Sequence, residues 1–214
     1  MIISLELEPG EVINESDLQR RLKLGRTPIR EALQRLAREK LVNIVPRRGM
    51  FVTEIGITDL QRLFEVRMEM EALAARLAAA RSLPYHWRKM ETILDGLQAL
   101  QGSDLNAELI RLDEGFHYQI YAAADNELLE DALQEWYTLS LRLWHFSLSD
   151  VGDMHDALQQ HFAILEAIRN RDASEASTLL RGHIRAFQNR IQQAMLAESP
   201  EAAGAQTETE ASNI

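Results

Sequence analysis

The chain has 214 residues, 46% hydrophobic and 26% charged, with no cysteine and a net charge of −10. That length allows one or two domains, and the apolar content is ample for a packed core. The missing cysteines exclude disulfides and thiolate metal sites and fit a cytoplasmic location; no apolar run approaches a membrane span and no signal-peptide pattern opens the chain, so no membrane partner is expected.

The opening residues lead almost directly into a turn at Leu7-Glu8-Pro9-Gly10. Asn14 is placed to cap a helix from Glu15 to Lys23, with Leu18 and Leu22 inward. A second helix follows Gly25. Its apolar stripe is Ile29, Ala32, Leu33, Leu36 and Ala37, and Arg26, Arg30, Gln34 and Arg38 recur every four residues on another face. Pro28 is tolerated in a first turn. After Lys40 the period changes. Leu41 to Val45 and Met50 to Thr53 are short apolar runs around Pro46-Arg47-Arg48-Gly49, a hairpin with a basic tip.

Charge is unevenly spread. Residues 20–48 hold 10 Lys+Arg against 2 Asp+Glu, net +8, whereas everything beyond residue 56 holds 13 against 25, net −12. Screening silences distant charge within about 8–10 Å at physiological salt, so the local excess governs phosphate binding. A helix fits the major groove, and a basic tip can reach phosphate or the minor groove beside it. Either piece alone reads as well as a solvated helix or an ordinary hairpin. Joined in this order they favour a winged helix-turn-helix over residues 1–56.

Residues 57–197 carry only helical periods. Thr58-x-x-Gln61 reads as a capping box opening a long helix with Leu60, Leu63, Phe64, Met68, Leu73 and Leu77 inward. It breaks at Ser82-Leu83-Pro84. Further helices run to about Leu100, from Ser103 to about Ala124, from Asn126 to about Leu148, from His155 to Asn170, and from the capping box Asp172-x-x-Glu175 to about Leu196. The fold class is therefore mainly α: a winged helix-turn-helix with a small β-hairpin wing, then an all-α six-helix bundle. The tail, residues 198–214, is acidic and unpatterned, and is expected to be disordered.

All six histidines lie in this second part. Asp113 and His117 stand at i, i+4 on one helix face. His161 and His183 occupy the fifth and sixth helices of the bundle. If these helices surround one interior, one carboxylate and three imidazoles converge, a set suited to Zn²⁺, Ni²⁺ or Mn²⁺. From spacing alone an exposed helix pair and hydrogen-bonded core histidines are the commoner readings. His86, His145 and His155 stand outside the pattern and read as structural or exposed. Arg67 and Arg142 lie in otherwise apolar helices, where an arginine either points into a polar cavity or snorkels to the surface. Trp136, Tyr137 and Trp144 can line such a cavity or pack in the core.

The stretch RTPIREALQRLAREKLV…PRRGMFV resembles the signature of the GntR family of bacterial transcription regulators over roughly residues 2–53. That resemblance implies a homodimer reading a palindromic DNA operator. It points to Arg26, Thr27 and Arg30 as groove and phosphate contacts, to Arg35 and Arg38 as flanking contacts, and to Arg47, Arg48 and Gly49 as the wing tip. The chain departs from the family pattern at Lys23, usually glycine, at Gly25, usually a capping serine, and at Ser16, where some relatives carry arginine. Family members generally have a full first helix before Leu7; here most of it is missing, through truncation or an upstream start. Over roughly 58–196, the D-x-x-x-H pair, H-x-x-I-x-x-A-I and the closing His183 resemble the FCD effector domain of the FadR subgroup. Six helices match the branch typified by vanillate regulators. The resemblance implies Asp113, His117, His161 and His183 as ligands of a divalent metal, zinc first, and a small organic-acid effector beside it, held with help from Arg67 and Arg142.

The expected function is ligand-responsive transcription regulation, as a repressor, with the long helix after the wing as the lever. Two rivals stand beside it. A metal-dependent all-α enzyme would need a general base near the ion, and Glu114 points about 100° away from Asp113 around its helix. A regulator whose metal is purely structural would sense nothing there.

Overall fold

The computed structural model describes residues 1–99, 105–147 and 155–197. Its order is α1 (Glu15–Leu22), α2 (Arg26–Arg38), β1 (Val42–Val45), β2 (Gly49–Val52), α3 (Ile57–Arg81), α4 (Pro84–Ala99), α5 (Leu105–Ala123), α6 (Glu127–Ser147), α7 (His155–Arg169) and α8 (Ala173–Ala197). The expected tail, and the joints after α4 and α6, lie outside the described residues.

Local signals explain the first part. Asn14 accepts from the Ser16 and Asp17 amides and so caps α1. Lys23 ends α1 in the left-handed conformation, φ 55°. Gly25 is extended at the N-cap of α2. At the far end of α2, Lys40 turns left-handed at φ 61°. The Leu41 amide bonds the Leu36 carbonyl and the Lys40 amide bonds the Ala37 carbonyl, a Schellman stop. β1 and β2 pair antiparallel in the register Val42↔Val52 to Val45↔Gly49. The loop closes with Arg48 N–H to the Val45 carbonyl at 3.1 Å. Arg47 sits at φ 63° and Gly49 at φ 107°. Proline followed by a positive φ is a type II turn, which favours glycine where Arg47 stands.

Residues 10–13 run along β2. Gly10 N–H and Ile13 N–H donate to the Val52 and Met50 carbonyls, and Val12 bridges Phe51. Sequence periodicity gave no hint of this third strand-like rail. Ile2 and Leu7, from the turn-rich opening, join Ile13, Leu18, Ile29, Leu33, Leu41, Val42 and Val52 in one small buried cluster.

The six helices α3–α8 enclose a second, larger cluster around Phe64, Phe116, Ile120, Leu133, Ile164, Leu180 and Ile191. Helix α3 runs through its centre, touching α5, α6, α7 and most extensively α8. Its buried face is rich in small residues, Ala72, Ala74, Ala75, Ala78 and Ala79, which lets neighbouring helices approach closely. Two arginines cap helix ends from outside. Arg171 donates to the carbonyls of Ala79, Ala80 and Ser82, and Arg81 to those of Ala124 and Asp125.

Three local expectations are corrected. Thr58 does not cap α3: the helix starts one residue earlier with Gly56 at the N-cap and no side-chain cap bond, so Thr58 is already inside the first turn. Leu22 is not inward but 47% exposed, because α1 ends at that residue and Leu18 alone is buried from it. Ala32 of α2 is exposed as well, leaving Ile29 and Leu33 as that helix's buried residues. By contrast Asp172 does cap α8, accepting from the Glu175 amide at 2.9 Å.

Leu33 is 3% exposed in a cluster of few members. Leu33→Ala should cost about 3 kcal/mol. Urea denaturation should then show an early transition confined to the first 53 residues, with the bundle unfolding where it did before.

Candidate functional site

Three elements bring Asp113, His117, His161 and His183 together: α5 supplies the first two one turn apart, α7 the third and α8 the last. All four are buried, and their donor atoms lie within 4.8 Å of one another. His161 Nε2 stands 3.2 Å from His183 Nε2 and 3.3 Å from Asp113 Oδ1. His117 Nε2 is 3.8 Å from Asp113 Oδ2.

The neighbours fix which ring nitrogen carries the proton. His117 Nδ1 lies 2.6 Å from Glu71 Oε2, an ionised acceptor, so that nitrogen donates. His183 Nδ1 faces the Gln160 Oε1 acceptor at 3.0 Å and donates likewise. Both Nε2 atoms face the other donors of the cluster. Burial pushes the His161 and His183 imidazoles well below their ordinary pKa, and the other imidazoles reinforce this, so they are neutral. His161 Nε2 faces both His183 Nε2 and Asp113 Oδ1, while its Nδ1 is buried with no hydrogen-bond partner among the described residues. Donors bound at 2.0–2.1 Å around a tetrahedral ion sit about 3.3 Å apart, so the closest spacings fit a divalent metal.

A further set of buried groups orients these donors. Glu71 of α3 is fully buried. Burial alone would raise its pKa, but Arg67 and His117 overcome that and hold the carboxyl at about 2. Arg67 donates from Nε to Glu71 at 2.7 Å and from Nη1 to Ser140 Oγ at 2.6 Å, and its guanidinium lies over the Phe64 and Tyr137 rings. Tyr137 donates to Asp113 Oδ2 at 2.5 Å. Burial and the Asp113 charge push the Tyr137 phenol well above its usual pKa, so it remains a donor. Carboxylate–histidine partners of this kind set ring orientation and donor strength in metal sites. Glu71 is engaged on both oxygens and has no free edge to act as a base.

Sequence reading missed Glu71, Ser140 and Gln160. A signal existed for the first: Arg67 and Glu71 stand at i, i+4 within a helix whose other residues are largely apolar. The two arginines singled out by sequence separate. Arg67 lines the metal cavity with Tyr137, Trp144 and Phe187, a space of about 10 Å³. Arg142 does not reach it. Arg142 lines a different cavity with Trp136 and donates to the Thr53 carbonyl at 2.6 Å. His86 is structural, accepting the Leu83 amide at Nδ1, and His145 is half-buried. The side chain of His155 lies outside the described residues.

The residues expected at DNA form an exposed surface. Arg26, Thr27 and Arg30 lie on the first turns of α2, Arg35 and Arg38 further along it, and Arg47, Arg48 and Gly49 at the hairpin tip. No acidic residue stands in the first turn of α2, so its positive dipole end is uncompensated there. Glu15 of α1 reaches across, with its Oε2 at 2.9 Å from Arg30 Nε and 3.7 Å from Arg26 Nε. Its hydrogen bond to Arg30 lowers its pKa. Arg35 pairs with Glu39 at 2.9 Å. Exposed pairs of this type are weak, so phosphate can displace them.

A helix-turn-helix with an arginine-tipped wing, joined to an all-helical body around a buried carboxylate and three histidines, defines a DNA-binding regulator with a helical sensor. The chain belongs to the gntR family of bacterial regulatory proteins, whose model matches residues 1–52, and its body matches the FCD domain over residues 62–186. It is 30% identical over 185 residues to the Nta operon transcriptional regulator of Aminobacter aminovorans, covering 86% of each chain. It is 31% identical over 207 residues to the HTH-type transcriptional repressor GlaR of Escherichia coli K12, covering 91% of this chain and 92% of that one. The fold is that of E. coli McbR/YncC, with a TM-score of 0.79 at 20% identity over 90% of this chain and 92% of that one. The family is one of transcription regulators, not enzymes. No helix among the described residues is long and apolar enough to cross a membrane.

Glu15→Gln should free Arg26 and Arg30 and tighten binding to duplex DNA roughly 2- to 5-fold at low salt, with little change near 0.5 M salt. Fluorescence anisotropy with a labelled duplex reads this directly, and a weakened complex would show that Glu15 positions the arginines instead of restraining them.

Proposed function

We propose that this regulator is a repressor whose body, residues 57–197, holds a divalent metal on Asp113, His117, His161 and His183 and senses a small carboxylate beside it. Residues 1–56 act as the reading head. Two copies pair, setting two α2 helices about 34 Å apart on a palindromic operator, with Arg26, Thr27, Arg30, Arg35, Arg38 and the Arg47–Gly49 tip on groove and backbone. Zinc suits the three-imidazole, one-carboxylate donor set best; nickel and manganese are the other candidates. The sign of regulation rests on relatives such as GlaR, which is named a repressor.

The observation that carries this reading is the convergence of four buried donors, Asp113, His117, His161 and His183, within 4.8 Å of one another beside the buried Arg67–Glu71 pair. A bound divalent ion would bring positive charge into this water-poor space, where a carboxylate would offset it. Arg67 stands at the same cavity as a second cation. The cavity of about 10 Å³ admits a water-sized body, so an organic acid enters only by displacing its apolar wall, Trp144 and Phe187. Trp144 belongs to α6, two residues beyond Arg142, whose guanidinium holds the Thr53 carbonyl at the end of the wing. Movement of α6 is thereby transmitted to the head, and the acid shifts DNA affinity by its differential affinity for the two arrangements.

His161→Ala should abolish high-affinity zinc binding and the zinc-induced rise in melting temperature, leaving the apo fold intact. Glu71→Gln should weaken zinc binding by about 10- to 100-fold without removing a ligand. Calorimetry against a competing chelator measures both. A screen of small carboxylic acids by thermal shift, with zinc and with EDTA, tests the sensor: stabilisation by an acid only when zinc is present is the expected result, and stabilisation that ignores EDTA would reduce the metal to a structural role.

A further inference from the structure

A roomy cavity lies away from the candidate metal site. It measures about 660 Å³, within the size range of small-molecule sites, and shares no lining residue with the metal cavity. One wall is the reading head, where α2 gives way to β1 at Ala37, Lys40 and Asn43. The other wall is the body, with Leu63 of α3 and Trp136, Leu139 and Arg142 of α6. Thr53 closes it between the two.

Its chemistry is specific. Arg142 is only 3% exposed, and its Nε–H has no partner. Thr53 Oγ1, also buried, has none either. Among the described residues the guanidinium donates to the Thr53 carbonyl from Nη2. Among the described residues no carboxylate lies within ion-pair distance of Arg142, and burial lowers its pKa. A buried guanidinium without an anion is costly and is usually compensated by a ligand or a partner. The carboxylates that line the cavity, Glu54 and Asp59, are offset there by Lys40 and Arg62, with Asp59 3.9 Å from Arg62. The excess positive charge is therefore that of Arg142. The rest of the lining is mainly apolar, with one large aromatic face from Trp136.

We propose that this head–body cavity is a second small-molecule site, for an amphipathic organic anion whose carboxylate binds Arg142 and Thr53 and whose apolar body packs on Trp136, Leu139 and Leu63. It is independent of the metal reading. A ligand here touches head and body at once, so it stabilises one relative arrangement of the two and sets how the DNA-binding surface is presented. The bond from Arg142 to the Thr53 carbonyl is the link that such a carboxylate would compete with or extend.

Calorimetry on the full chain tests this with 2-naphthoate as the anionic probe and 2-naphthamide as its neutral counterpart. Naphthoate should bind with the same affinity in zinc and in EDTA, and at least 10-fold more tightly than the amide. Arg142→Gln should reduce naphthoate binding at least 10-fold. Because that substitution touches a buried residue, Val66→Trp is the second variant: Val66 lines the cavity yet is 38% exposed, so a larger side chain can fill the space without disturbing the core. It should block naphthoate while leaving the melting temperature unchanged. His161→Ala should leave naphthoate binding intact. Absence of naphthoate binding at millimolar concentration, equal affinity for the amide, or loss of binding in His161→Ala would each overturn the proposal. So would a Val66→Trp chain that sediments as a smaller species than the parent, since the cavity wall would then be a contact between copies of the chain.

Discussion

The body is organised around a charge that water cannot reach. Arg67 and Glu71 are 2% and 0% exposed, one helical turn apart on the central helix α3. Removing such a pair from water is expensive, and losing one partner leaves the other uncompensated, at about 3–5 kcal/mol. The pair is tolerable because each member is further engaged. Glu71 accepts from His117, and Arg67 holds Ser140 and lies over two aromatic rings. Through His117 and Tyr137 the same network reaches the convergent donors, so the ring orientations of the candidate metal centre depend on an ion pair that contains no ligand.

Helix α6 connects the two halves of the molecule. Tyr137, Ser140 and Trp144 follow one another at i, i+3, i+7 and face the buried network. Trp136, Leu139 and Leu143 repeat the same spacing one residue earlier, about 100° around the helix, and face the head–body cavity. Leu139 also packs against the small core of the reading head. A rotation or shift of this helix cannot change one face without changing the other. Interior packing at native density makes such elements switch between discrete positions instead of yielding gradually.

Much of this was legible before any coordinates. The stripes of α2 and α3, the basic hairpin tip and the Asn14 and Asp172 caps are local properties, and local periods and capping chemistry report them. Asp113 and His117 were readable as a pair because one helix sets their spacing. His161 and His183 joined them only through resemblance, since periodicity does not say which faces of three helices meet. Glu71 was hidden for a related reason. A glutamate four residues after an arginine is the ordinary pattern of an exposed helix pair, and only packing distinguishes the buried version. Arg142 reads from sequence equally as a cavity arginine or a snorkelling one, and the cavity it lines is not the metal cavity, because a sequence ranks side chains by type without placing them in space. The rail formed by residues 10–13 has neither alternation nor β-branched enrichment beyond Val12 and Ile13, so it too depended on tertiary contact with β2.

Glu15 has a consequence for how occupancy of DNA responds to ionic strength. Counterion release makes affinity fall with salt in proportion to the phosphates neutralised. That relation assumes that the cationic side chains start out free. Here Arg30 begins in an internal pair, and when it moves to phosphate it leaves a bare carboxylate beside the polyanion. That carboxylate recruits a cation from solution and partly cancels the release. The measured salt slope would then undercount the arginines at the interface, and the complex would be less sensitive to osmotic swings than its number of basic contacts implies.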